Sequence, residues 1–295
     1  MPYPPVARKA VVVTGASSGI GRATARLLRD RGWLVAPTAR KPADLDALRA
    51  EGFTPVPLDL ASPDSVSTAA AAVPDVLHGP PAAIVDNAGY GQPGALQDLS
   101  RDALRAQFET NLFGPVDFTN RLLPALRAQG PGRIVLLSSV VGRLVMPILG
   151  AYAASKFAVE AVGDAWRLEL RASRISVSII EPGPIATSFR RRCVSEAATG
   201  LEKTDTPFRD LYQKELTQPD RTYTRPTDVF RRPPEAVAKK ILHALTSRWP
   251  RARYPVTGAA WLGVFAARLL PARLLDAILA SSVIGRPLPP PTPRP

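Results

Sequence analysis

Cysteine is almost absent: Cys193 is the only one in 295 residues. No intrachain disulfide, thiol-redox pair or cysteine-based zinc cluster can be built from one thiol, so a reducing, cytoplasmic setting is expected. Cys193 reads as an inert thiol. Histidine is nearly as scarce. His78 and His243 are the only two, and neither stands beside a nucleophile or carboxylate motif, so both read as surface residues and no metal site is expected. Aromatic residues make up 6% of the chain, too few for a base-stacking surface, and no nucleic-acid partner is expected. Long hydrophobic runs are missing. Near the C-terminus the longest, Gly258–Ala267, is broken by Arg268 and Pro271, at about half the ~20 residues a membrane span needs. Met1–Lys9 is proline-rich and does not read as a secretory leader.

Apolar and basic residues are present in quantity. Hydrophobic residues reach 45% and charged residues 21%, which excludes wholesale disorder. The net charge of +13 is uneven, at +3 over residues 1–185 and +10 over residues 186–295. A solvated basic surface accounts for such an excess, and so does an anionic substrate or membrane face.

Short apolar runs alternate with helical spacing. Ala10–Thr14, Leu34–Thr38, Ala83–Val85, Ile134–Leu137 and Ile175–Ile180 read as buried strands. Helices are predicted over Gly19–Gly32, Asp44–Glu51, Pro63–Val73, Arg101–Leu126, Tyr152–Arg171, Pro234–Ser247 and Ala259–Ile284. Continuous apolar strands separated by helices predict a doubly wound α/β fold with a parallel sheet. Residues 1–285 read as one domain. Within it lie a charged, proline-punctuated excursion over 188–232, expected to act as a mobile lid, and a C-terminal helical extension over 257–285. The tail, 286–295, carries six prolines in ten residues and is expected to be extended.

The first strand runs into TGASSGIG, Thr14 to Gly21. Gly15 suits a tight turn, Gly19 lets a pyrophosphate approach the backbone, and Gly21 lets the helix lie close to the strand. Ser17 and Ser18 add hydroxyls, and Ile20 lies at the helix start, whose free N–H groups face an anion. The second strand ends at Arg40 with Lys41 beside it and no acidic residue before Asp44. A guanidinium there suits a 2′-phosphate, so NADP(H) is expected over NAD(H). Tyr152 and Lys156 lie four apart on one face of a predicted helix. An ammonium close to a phenol lowers its pKa. Ser139, just past a strand, supplies a hydroxyl for a carbonyl, although alternation alone leaves Ser138 equally eligible.

TGASSGIG, Asp86-Asn87-Ala88-Gly89, Asn111, Ser138-Ser139, Tyr152-Ala-Ala-Ser-Lys156 and Pro182-Gly183 with Thr187 together resemble the short-chain dehydrogenase/reductase family, in its order and spacing. Stretches Leu136–Leu144 and Ile179–Gly183 look similar to its retinol and 17β-hydroxysteroid branch. The resemblance implies a Rossmann-type domain with about seven parallel strands, a homodimer or tetramer, and hydride exchange between a nicotinamide and an alcohol, aldehyde or ketone. In that scheme Tyr152 handles the proton, Lys156 lowers its pKa and holds the nicotinamide ribose, Ser139 orients the carbonyl, and Asn111 holds a water of the proton relay. Asp59 contacts the adenine, with Leu60 beside it. Asn87, Ala88 and Gly89 line the cofactor floor, and Pro182, Gly183, Ile185 and Thr187 flank the nicotinamide. The family pattern favours Ser139 over Ser138. Asp86 departs from it, since Asn is usual there.

Two other classes are open to this sequence. A nucleotide-binding regulator that lost catalysis would have a broken Ser-Tyr-Lys set, which this chain does not. A peripheral membrane attachment would use the apolar stripe bordered by Arg268 and Arg273.

Overall fold

The computed structural model describes residues 2–189, 193, 206–212 and 231–283. Seven parallel strands form one sheet in the order β3-β2-β1-β4-β5-β6-β7. The strands are β1 Ala10–Val13, β2 Leu34–Ala39, β3 Val56–Pro57, β4 Ala83–Asp86, β5 Gly132–Leu137, β6 Ile175–Glu181 and β7 Arg253–Pro255. This is the Rossmann order, in which the chain reverses direction of travel between β1 and β4 and leaves a crevice at the strands' carboxyl ends.

The strands are apolar on both faces because both faces are covered. Ala10 and Val12 of β1, Ile84 of β4, and Ile134 and Leu136 of β5 belong to one core cluster, with Phe118, Leu122 and Trp166 from the helices. Their alternates, Val11, Val13, Val85, Val135 and Leu137, belong to the second, with Leu28, Leu48 and Ile241. The period of two thus divides one sheet between two helical layers. Helices α1 (Gly19–Asp30), α2 (Pro42–Ala50) and α7 (Pro234–Thr246) cover one face, and α3 (Pro63–Val76), α5 (Gly114–Ala128) and α6 (Gly150–Glu169) the other. In α1 the buried positions Gly21, Thr24, Ala25 and Leu28 recur at helical spacing.

Three sequence expectations change. The helix expected over Arg101–Leu126 is divided: α4 (Arg101–Phe108) passes into a π turn, Glu109–Phe113, before α5. The helix expected over Ala259–Ile284 is two among the described residues, α8 (Gly258–Leu269) and α9 (Ala272–Val283), separated at Leu270-Pro271 because proline has no N–H to continue the ladder. The short strands β3 and β7 had too few apolar residues to stand out.

Most of the expected lid, including the arginine run Arg190 to Arg192 at its start, lies outside the described residues, as does the proline tail. The longest described stretch within the lid, 206–212, is anchored. The Tyr212 hydroxyl donates to Asp98 Oδ2 at 2.5 Å and accepts from the Ala95 N–H at 2.7 Å, and Thr206 Oγ1 donates to the same carboxylate at 2.8 Å. Burial and the adjacent Asp98 charge push the Tyr212 hydroxyl up to about 12, so it stays a donor.

Candidate active site

The crevice at the strand ends opens into a cavity of about 820 Å³. Its phosphate side is the turn after β1. Gly15 (φ +65°) and Gly19 (φ +54°) take left-handed conformations that suit glycine. A Cβ on Gly15 would press on Ala88 Cα at 2.8 Å, and one on Gly19 on the Thr187 methyl at 3.1 Å. A Cβ on Gly21 would collide with the Gly15 carbonyl, so the helix start is drawn against the turn.

Two residues lock this turn to the end of β4. Thr14 Oγ1 accepts from the N–H groups of Asn87 and Ala88 at 2.9 and 3.0 Å. Asn87 Nδ2 donates back to the carbonyls of Thr14 and Gly15 at 2.9 and 3.0 Å. Thr14 was not singled out from the sequence, although it opens the glycine motif. The cradle of missing side chains, open to the cavity at the N-terminus of α1, fits a dinucleotide pyrophosphate.

Gly15, Ser17, Ser18, Gly19, Ile20, Gly21, Asn87, Ala88, Gly89, Ser139, Tyr152, Lys156, Pro182, Gly183, Ile185 and Thr187 all line the one cavity. Four expected residues do not. Arg40 is exposed just past β2. Asp59 Oδ1 accepts from the Ala61 N–H at 3.0 Å, and Leu60 is buried in the core. Asn111 sits behind the cavity wall, 2% exposed, in the π turn. Its Nδ2 donates to the Ser155 hydroxyl at 3.0 Å and to the Tyr90 carbonyl.

Tyr152 and Lys156 come from the first two turns of α6. The Lys156 ammonium lies 5.8 Å from the Tyr152 ring centroid and donates to the Leu137 carbonyl at 2.6 Å. Ser139 lies close enough to Tyr152 to draw its pKa down. Ser139 caps the short 3₁₀ turn Val140–Gly142, with its Oγ accepting from the Val141 N–H at 3.3 Å. Ser138 is buried, and a Cβ on Gly142 would approach its hydroxyl at 2.6 Å. Both serines line the cavity with Tyr152, and Ser139 is the one close enough to act on its hydroxyl.

Electrostatics differ from the expected lowering of the phenol pKa. Burial pushes Tyr152 well above the usual tyrosine range. Ser139 draws it back in part, and Cys193, buried nearby, adds to the rise. Burial lowers Lys156 to about 8 against the opposing pull of Glu160 and Asp86. Asp86 accepts from Thr119 Oγ1 at 2.7 Å, while its Oδ1 is buried without a hydrogen-bond partner. Burial raises that carboxyl to about 7.

The wall facing Tyr152 is apolar. Met146, Leu149 and Phe189 contribute, and α8 and α9 add Leu262, Ala266, Ile278 and Leu279. The Phe189 ring centroid lies 5.7 Å from that of Tyr152. The apolar loop from Val140 to Leu149 is visible in the sequence, whereas the share of α8 and α9 is not, because those helices lie more than a hundred positions from Tyr152.

The sheet order, the glycine cradle and a tyrosine–lysine pair sharing one cavity define a nucleotide-binding oxidoreductase of the Rossmann type. The chain belongs to the short chain dehydrogenase family, whose pattern matches residues 9–198. Its chemistry is that family's NAD(P)-dependent oxidation and reduction. It is similar to an uncharacterized oxidoreductase, YbbO, of Escherichia coli (strain K12), 43% identical over 280 residues, which cover 93% of this chain and 95% of that one. It is also similar to an NADPH-dependent 3-dehydrocapnine reductase of Ornithobacterium rhinotracheale, 33% identical over 90% of this chain and 94% of the relative. Among solved structures, a short-chain dehydrogenase from Streptomyces avermitilis superposes with a TM-score of 0.75 at 29% identity, covering 95% of this chain and 98% of that one. No helix among the described residues is long and apolar enough to cross a membrane.

Proposed function

We propose that the chain, acting as one catalytic domain over residues 1–285, is an NADP(H)-dependent oxidoreductase. It interconverts the carbonyl and hydroxyl forms of a medium-sized apolar substrate, in the manner of the retinol and 17β-hydroxysteroid branch, and works as a homodimer or tetramer. The observation that carries this reading is the meeting of Tyr152, Ser139 and Lys156 with an apolar wall in the cavity that also holds the glycine cradle. A bound nicotinamide dinucleotide supplies or accepts the hydride.

The protein's own groups handle position and proton. Ser139 and Tyr152 donate to the substrate oxygen, and their hydrogen bonds strengthen as negative charge develops there. A phenol held above its usual pKa stays protonated near neutral pH, which suits proton donation in the reducing direction. Lys156, lowered only to about 8, remains largely an ammonium and favours the phenolate that forms. Asn111 fixes the floor behind Lys156, and one lone pair of its carboxamide oxygen is left for a water of the relay. The glycine turn and the start of α1 hold the pyrophosphate, and Asn87, Ala88 and Gly89 form the floor. Pro182, Gly183, Ile185 and Thr187 flank the nicotinamide end. Asp59 and Leu60 serve the adenine end, and exposed Arg40 serves the 2′-phosphate. The NADPH dependence in the name of the Ornithobacterium relative supports that choice of cofactor.

The test couples binding to turnover. NADPH and NADH are titrated first, then nucleotide oxidation is followed against aldehydes, steroids, retinoids and acyl ketones. Tighter NADPH binding with turnover of apolar carbonyls is expected. Binding of neither nucleotide would overturn the reading.

A further inference from the structure

The helix pair α8 and α9 has two apolar sides, and only one serves the cavity. Ala259, Leu262, Gly263 and Ala266 line it from α8, and Leu275, Ile278 and Leu279 from α9. The pair seats on the loop after Ser139, where a Cβ on Gly263 would touch Val140 at 2.9 Å and Leu144 at 3.0 Å. A different set of large side chains points away from both cavity and core: Trp261 is 55% exposed, Phe265 63%, Leu269 60% and Leu274 50%. On α8 these recur at four-residue intervals, so they form one stripe. Arg268 and Arg273, both exposed, bracket the turn at Leu270-Pro271, and Asp276 is the only acidic residue of the pair.

We infer that this outer face docks on an anionic lipid bilayer surface, with the two helices lying in the interfacial plane. Four observations favour that occupant. Each helix has 12 residues, too short to span. Tryptophan, phenylalanine and leucine beside exposed arginines is the composition of an interfacial helix. The chain's net charge of +13 draws it toward an anionic surface. A second copy fits worse, because a symmetric contact would bring together two faces that each carry exposed Arg268 and Arg273. The same helices roof the cavity, so docking places its outer wall against the lipid. The inference concerns attachment and does not depend on the reaction proposed above.

Flotation of the full chain with vesicles tests it. Phosphatidylcholine vesicles are compared with phosphatidylcholine–phosphatidylglycerol vesicles at low and high salt. Wild type is expected to float with the anionic vesicles, less so as salt rises. Trp261→Ser/Phe265→Ser, whose side chains do not line the cavity, is expected to lose roughly ten-fold or more of that partition while keeping its nucleotide affinity. Arg268→Glu/Arg273→Glu is expected to lose the preference for anionic lipid, and it provides a second reading if the first variant folds poorly. Acyl-chain-brominated lipid is expected to quench wild-type fluorescence but to quench Trp261→Phe less. Absence of flotation with anionic vesicles, or flotation of both double variants at the wild-type level, would overturn the inference. So would a concentration-dependent dimer that Trp261→Ser/Phe265→Ser dissociates, since the face would then be a contact between copies.

Discussion

Asn111 grips the backbone of Tyr90 at both of its polar groups: Nδ2 donates to the Tyr90 carbonyl at 2.8 Å, and Oδ1 accepts from the Tyr90 N–H at 3.0 Å. With the Ser155 bond, three hydrogen bonds converge on one buried carboxamide. Asn111→Ala removes all three, at a cost of about 2–4 kcal/mol. A lowered thermal midpoint, with turnover reduced more than nucleotide affinity, is the expected outcome. Calorimetry with steady-state kinetics measures both, and wild-type values for either would contradict the bracing role.

Tyr152→Phe removes one hydroxyl and leaves the ring against Phe189. Turnover should fall roughly a hundred- to ten-thousand-fold, the range for a positioned proton donor. Nucleotide affinity should stay near wild type, because the turn that holds the pyrophosphate is untouched. Single-turnover kinetics with a verified carbonyl substrate decides the matter, and retention of most activity would refute the role given to Tyr152.

Lys156 titrates near 8 because burial disfavours its charged form. As pH rises through that value the ammonium beside Tyr152 is lost. The reductive kcat/KM should therefore hold steady from pH 6 to 7 and decline through about 8. Lys156→Ala should lack that limb, with both rate and nucleotide affinity already depressed. A wild-type profile flat to pH 10 would speak against the assignment.

Arg40 is exposed at the end of β2, so its value to a 2′-phosphate is that of a solvent-side, charge-assisted contact. Such a bond contributes roughly 1.5–3 kcal/mol, and Arg40→Ala should reduce the NADPH-over-NADH preference ten-fold or more. Isothermal titration with both nucleotides provides the measurement. Equal affinities in the wild type would remove the basis for the prediction.

Asp86 links the site to stability. Its folded carboxyl is raised to about 7 from an ordinary 3.8, so between those values the folded chain keeps a proton that the unfolded chain has lost. Its contribution is therefore fully present below about pH 4 and declines as pH rises toward 7. Asp86→Asn keeps an acceptor for Thr119 without the charge. It should flatten the pH dependence between 4 and 7 and raise the melting midpoint at pH 8 by roughly 2–4 °C. Thermal scans across that range test it, with Glu181, also raised to about 7, as the other group able to produce such a slope.

The sheet was legible because its strands are short apolar blocks whose period serves two buried faces. The local motifs were legible for a similar reason: Gly15 to Gly21, and Tyr152 with Lys156, each lie on one turn or helix, where spacing fixes direction. What escaped depends on contacts between distant segments. Thr14 earns its place only by meeting Asn87 across the sheet. The π turn at Asn111 cannot be told from a continuous helix by hydrophobic period, because it differs from an α-helical turn by a single residue. The upward push on Tyr152 comes from burial, and Phe189 and the C-terminal helices, which share its cavity, lie far from it in sequence.

That π turn carries one residue more than the α-helical turn it replaces. Deleting a single residue within Glu109–Phe113 would rejoin α4 and α5 into one regular helix, still in phase with the core that Phe118 and Leu122 enter. The architecture would survive such a shortening, while the carboxamide of Asn111 would swing away from Tyr90. Helix length in this stretch is therefore a mark of alignment rather than of folding. Two chains could share every strand and differ in competence by one codon here.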